Sequence, residues 1–186
     1  MILIIDIDET LIHSVKSVLF SSLQNDDVHP SDLFEVSNYT VQKRPYLNMF
    51  LSKVLSDEYY EVVFWTAATH DYAYGILNHI IPDWKKVKLV LTRDHCDELD
   101  CKPLGKVRNL IRDIDHRSDT HAMYERTIHD FLIIDNKKGV TGHDHLNHLE
   151  IVDFEGDTLD NELERLWDYL DRNRYYSSEY LAANWK

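Results

Sequence analysis

Apolar residues fall along this chain in short unbroken runs, and the stretches between those runs carry helical spacing. Met1–Ile5 is continuous rather than alternating and rich in β-branched isoleucine, which predicts a strand buried on both faces. Glu61–Thr66, Val87–Leu91, Phe131–Asn136 and Leu149–Val152 read the same way. Between them, the spacing predicts a helix over Tyr46–Leu55, with Pro45 suited to its first turn. A second is expected over Asp71–Ile81 behind Thr69 as N-cap, and a shorter third over Leu104–Ile111. A last helix is expected over Asp157–Asp171, where Leu159, Leu163, Leu166, Trp167 and Leu170 form an apolar stripe for the core. Strands alternating with helices predict an α/β fold, a doubly wound parallel sheet of about five strands with helices on both faces.

Two segments depart from that alternation. Residues 12–43 hold Phe34–Val36 and Tyr39–Val41 on either side of Ser37-Asn38, which reads as a small β-hairpin flap after the first strand. Residues 113–130 are polar and weakly patterned, as expected of a surface insertion. The aromatic tail from Tyr175 to Lys186 is expected to pack back on the body. At 186 residues, with 44% apolar content, one domain is the default expectation. The net charge of −13 disfavours non-specific nucleic-acid binding but leaves room for a local phosphate site. Cys96 and Cys101 match neither a zinc knuckle nor a redox pair, and two thiols suit a reducing compartment. With a core strand at its start and no apolar stretch of membrane length, the chain is expected to be soluble and intracellular, cytoplasmic or nuclear.

Chemistry gathers at the predicted strand ends. In an open α/β sheet, ligands bind at the carboxyl edge. The first strand delivers Asp6 and Asp8 there, the second Thr66, and the fourth Asp135-Asn136, while Lys102 precedes the third helix. Two acidic groups one residue apart repel each other and favour a nearby cation. Asp6, Asp135, the Asn136 amide and the Asp8 carbonyl make a set of hard oxygen donors suited to Mg2+. Thr66 and Lys102 could hold phosphate oxygens, so the inventory suits phosphoryl transfer. Lys106 is a rival to Lys102. His143-Asp144-His145 is more simply a surface loop than a second metal site, His13 a loop support, and Lys85, Lys86 and Lys88 a solvated edge.

These residues carry a family resemblance. Asp6-Ile7-Asp8-Glu9-Thr10-Leu11-Ile12-His13-Ser14, then Lys43-Arg44-Pro45, Phe64-Trp65-Thr66-Ala67-Ala68, Arg93 through Cys96 and Asp135-Asn136 resemble, in this order, the haloacid dehalogenase-like phosphohydrolases. More narrowly, they resemble the branch of small RNA polymerase II C-terminal-domain phosphatases and their nuclear-LIM-interactor-interacting relatives. The resemblance covers Met1 to about Asp171. It implies a Mg2+-dependent phosphatase with no large cap domain, acting on a phosphorylated protein or peptide. Asp6 would be the nucleophile, and Asp8 the acid and then the base. Thr66, Ala67 and Lys102 would bind phosphate. Asp6, Asp8, Asp135 and Asn136 would hold the metal, with Thr10 and Arg93 toward the substrate. Lys102 is preferred over Lys106 because Lys102-Pro103-Leu104 is similar to the family's helix start. Lys137-Lys138 stand where the family carries Ser-Pro, and the segment between Cys96 and Lys102 is short, so the substrate is less defined than the reaction. A nucleotide or polynucleotide-end phosphatase, or a phospho-binding module without turnover, are the alternatives.

Overall fold

The computed structural model describes residues 1–20, 28–117, 126–142 and 145–186. In chain order these form β1 (Ile2–Ile5), β2 (Ile12–Lys16), a helical turn at Ser17–Phe20, β3 (Leu33–Val36), β4 (Tyr39–Lys43) and α1 (Leu47–Ser56). There follow β5 (Glu61–Trp65), α2 (His70–Ile80), β6 (Val87–Leu91), α3 (Leu104–Arg117), β7 (Phe131–Asp135), β8 (His148–Glu150), α4 (Glu162–Arg172) and α5 (Ser178–Asn184). Five strands make one parallel sheet in the order β6-β5-β1-β7-β8.

The unbroken apolar runs follow from that sheet being covered on both sides. Alternate residues of β1 serve opposite cores. Leu3 and Ile5 join Val62, Phe64, Leu132 and Ile134 under the apolar faces of α1, α2 and α4, with Leu181 of α5. Ile2 and Ile4 join Val63, Trp65, Phe131 and Ile133 under Leu104, Val107 and Ile111 of α3.

Register then places the chemistry. Ile5 lies level with Phe64 and with Ile134, so Asp6 and Asp135 leave the sheet side by side. Because side chains alternate along a strand, both acids point to the α3 side.

The flap is larger than a hairpin. β2 joins β4 and β3 in a three-stranded antiparallel sheet of order β2-β4-β3. It lies close against α2, where a Cβ on Gly75 would come within 2.5 Å of Val36 Cγ1. Arg44, just after β4, is buried and reaches back to the acidic loop. Its Nη1 donates to the Thr10 carbonyl at 3.0 Å, while Nε and Nη2 donate to Asp160 at 2.9 and 2.8 Å.

Several sequence expectations shift. Pro45 stands outside α1, because Tyr46 takes a left-handed conformation (φ 64°) and the helix begins at Leu47. The third helix is longer than expected and runs through residues 113–117 of the expected insertion, while 118–125 lie outside the described residues. α4 starts at Glu162 rather than Asp157, because the Asp157 and Asp160 carboxylates accept backbone N–H groups from Leu159 and Glu162 and hold a turn there. Leu159 is therefore exposed and leaves the stripe. The last strand is His148–Glu150, which leaves Val152 exposed beyond it. Lys88 is no solvated edge residue, since it pairs with Glu61 at 3.0 Å and Asp115 at 2.6 Å, and Arg126 bonds the same two acids. The tail packs back through Leu181 and, in part, Trp185, but Tyr175, Tyr176 and Tyr180, which were expected to be covered, are exposed.

Two outcomes follow. Asp160→Ala strands a buried guanidinium, so it should cost about 3 kcal/mol in urea unfolding, and a loss below about 1 kcal/mol would contradict the role of this pair. Burial alone would raise Glu61 and Asp115, but Lys88 and Arg126 outweigh it and hold both below the ordinary carboxylate range. Their stabilisation is present above the unfolded value and is lost as pH falls through the folded values. The melting temperature should therefore drop below about pH 4.3, less steeply in Glu61→Gln.

Candidate active site

The Ile7–Ile12 segment makes a tight reversal that keeps Asp6 and Asp8 at the sheet edge. Glu9 takes a left-handed conformation (φ 56°), its N–H donates to the Ile12 carbonyl, and Leu11 N–H donates to the Ile7 carbonyl. A non-glycine residue there carries strain of about 1–2 kcal/mol, which persists because neighbours hold the loop from outside. Phe154 N–H donates to the Glu9 carbonyl at 2.8 Å, Arg44 N–H to that of Leu11 at 3.0 Å, and the Arg44 side chain to that of Thr10.

At the centre lies the Lys102 ammonium, 2.5 Å from Asp6 Oδ1 and 2.6 Å from Asp135 Oδ2, with all three residues buried. The lysine arrives in the short link before α3, its own N–H bonded to the Val140 carbonyl. Burial opposes its charge, but Asp6 and Asp135 more than compensate and raise its pKa. Burial pushes Asp6 up to about 7 against the pull of Lys102, and Asp135 adds to the rise. Among the described residues two of the three ammonium protons are engaged, and Lys102 lines the cavity. Lys106 is exposed and stands off the cavity wall, so the lysine in the site is Lys102.

Asp8 is held by both oxygens. Tyr72 Oη donates to Oδ1 at 2.8 Å and Thr66 Oγ1 to Oδ2 at 3.2 Å. Burial raises the Asp8 carboxyl, and those two hydrogen bonds only partly offset it. Thr66 also accepts the Ala68 N–H at 3.0 Å, which turns its one proton toward Asp8. Asn136 donates through Nδ2 to Asp153 at 3.0 Å and accepts from Thr10 at Oδ1.

These groups surround a cavity of about 1130 Å³, lined also by Ser14, Tyr39, Ala67, Arg93, Lys137, Lys138, Val140, Ile151 and Val152. Arg93 is exposed and donates to the Ala67 carbonyl at 2.7 Å. Thr10 is a correction. It is fully buried and off the cavity wall, so it supports Asn136 rather than facing a substrate. Sequence reasoning missed Tyr72, Arg44 as a brace of the acidic loop, and Asp153. Tyr72 gave no sequence signal beyond its position in the first turn of α2, whereas Arg44 stands in Lys43-Arg44-Pro45, whose spacing says nothing of its distant partners.

Metal fit rests on the chemistry of the donors. Among the described residues no group of three or more His, Cys, Asp or Glu side chains could hold a metal ion, and His143 and Asp144 lie outside them. Asp6, Asp135, the Asn136 oxygen and the Asp8 carbonyl are all hard donors. So sparse a set suits Mg2+, which keeps several waters, better than zinc.

The five-stranded parallel sheet, covered on both faces and carrying polar groups at its carboxyl edge, is a doubly wound α/β fold. Residues 1–179 match the NLI interacting factor-like phosphatase family, and the chain belongs to it. It is similar to a CTD small phosphatase-like protein 2 of Dictyostelium discoideum, 30% identical over 91% of this chain and 26% of that protein. It is also similar to a nuclear envelope morphology protein 1 of Saccharomyces cerevisiae, 26% identical over 93% of this chain and 39% of the other. The chain thus spans only a quarter to two-fifths of these relatives. The fold is that of the fission yeast RNA polymerase II CTD phosphatase Fcp1, with a TM-score of 0.58 at 22% identity over 92% of this chain and 50% of that one. Among the described residues no helix is long and apolar enough to cross a membrane.

Removing the lysine tests the charge balance. Lys102→Met should destabilise the metal-free protein by about 3–5 kcal/mol at pH 8, because two buried carboxylates lose their counter-charge. The loss should shrink toward pH 5, where Asp6 takes up a proton. Urea unfolding at both pH values measures it, and an equal loss at the two would contradict the account.

Proposed function

We propose that this chain is a Mg2+-dependent phosphatase that hydrolyses phosphoserine or phosphothreonine in a protein through an aspartyl-phosphate. The observation that carries this reading is the convergence of Asp6, Asp8, Thr66, Lys102 and Asp135 on one open cavity. Asp6 attacks phosphorus, and Asp8 passes a proton to the leaving oxygen as its bond to phosphorus breaks. Water then attacks the phosphorus of the aspartyl-phosphate, Asp8 takes its proton, and Asp6 is released. Lys102, kept cationic between the two acids, balances charge beside the phosphoryl group, and Thr66 Oγ1 and the nearby backbone can donate to its oxygens. Mg2+ held by Asp6, the Asp8 carbonyl, Asp135 and Asn136 would neutralise phosphate charge and favour ionised Asp6.

The protein substrate is favoured by the breadth of the cavity and by the segment between β1 and α1, where the described residues form only a three-stranded sheet and two short helical turns. An extended peptide can lie along such a surface, and the CTD phosphatase names of the relatives agree with this reading. Aryl phosphate hydrolysis should vanish in EDTA, return with Mg2+, and fall by about a thousandfold or more in Asp6→Asn. Phosphopeptides should outpace phosphorylated oligonucleotides, and the opposite order would overturn the substrate class.

A further inference from the structure

We propose that Tyr72 is a positioning residue for Asp8, anchoring Oδ1 so that Oδ2 is the oxygen that exchanges the proton with the leaving group and then with water. The proposal rests on the reading of Asp8 as the acid and base. Tyr72 lies in the first turn of α2, whose Ala73, Ile76, Leu77 and Ile80 are locked in the core, so the helix cannot turn its ring away. The ring also meets Tyr39 edge-on, with centroids 5.4 Å apart. Its hydroxyl is 2.8 Å from Asp8 Oδ1 and 2.8 Å from Ser14 Oγ on β2. One phenolic proton cannot serve both. When Ser14 donates to the Tyr72 oxygen, the tyrosine proton is left pointing at Asp8.

The two holds on Asp8 are unequal. Thr66 lies at the phosphate end of the cavity, and its hydroxyl can turn to a phosphate oxygen, which frees Oδ2. Tyr72, braced by Ser14 on a different sheet, keeps Oδ1. The anchored Oδ1 accepts the same hydrogen bond in both half-reactions. In the first, Oδ2–H gives its proton to the leaving oxygen as the ester O–P bond breaks and the Asp6 O–P bond forms. In the second, Oδ2 takes a proton from water as the new O–P bond forms and the Asp6 O–P bond breaks. The Tyr72 proton stays on its oxygen throughout.

Leaving-group dependence separates this role from a structural one, since a good leaving group needs no proton. Tyr72→Phe keeps the ring and removes only the hydroxyl. It should leave kcat/KM on dinitrophenyl phosphate within about twofold and lower kcat on phenyl phosphate by about tenfold or more, with KM nearly unchanged. Asp8→Asn should show the same bias enlarged, and Tyr72→Phe added to it should cost nothing further. Equal losses on both substrates, or an additive double variant, would overturn the role of Tyr72. If Asp8→Asn itself shows no leaving-group bias, the reading of Asp8 falls, and the proposal with it.

Discussion

A buried ammonium held between two buried carboxylates is the constraint around which this molecule is organised. Each of these charges alone would cost several kcal/mol to take out of water, so none is tolerable unless the others are within hydrogen-bond reach. Lys102 meets Asp6 and Asp135 at 2.5 and 2.6 Å, and that demands two parallel strands in strict register with the start of α3 docked beside them. The two apolar cores on either face of the sheet supply the rigidity. With both acids ionised the triad would carry one more negative than positive charge, and burial opposes this by driving Asp6 toward neutrality. A divalent cation would find that imbalance attractive.

A second set of constraints acts on the loop that follows. Glu9 adopts a conformation that an isolated chain would avoid, and three carbonyls in a row, from Glu9, Thr10 and Leu11, are tied to Phe154 and Arg44. Arg44 is in turn fixed by Asp160. The flap, the acidic loop and the segment leading into α4 are therefore one hydrogen-bonded unit. Such pre-organisation would suit the proposed catalysis, because groups fixed in advance need little reorganisation.

Much of this could be read from the chain. The central strands β1, β5 and β7 announced themselves as apolar runs, whereas β6 carries Lys88 and β8 holds a single apolar residue, Leu149. The rule that such strands present ligand groups at their carboxyl ends gathered Asp6, Thr66 and Asp135, with Lys102 beside them, without any structure. The ends of helices were harder. Leu159 fits the apolar stripe of α4 by spacing, yet it lies exposed because nearby aspartates capture backbone N–H groups and delay the helix. Lys88 looked solvated because its partners come from elements far away in sequence. Tyr72 was invisible for the same reason, as its contacts with Asp8 and Ser14 span 64 and 58 residues. Long-range polar pairing leaves no local period, so it is what pattern reading misses.

The central claim is that the carboxylate of Asp6 forms the covalent bond to phosphorus. Quenching the protein during steady turnover, reducing it with borohydride and mapping the peptides tests this directly, since an acyl phosphate is reduced to the alcohol. The account predicts homoserine at position 6 and nowhere else. Turnover without homoserine at that position, or homoserine at position 8 or 135, would contradict it.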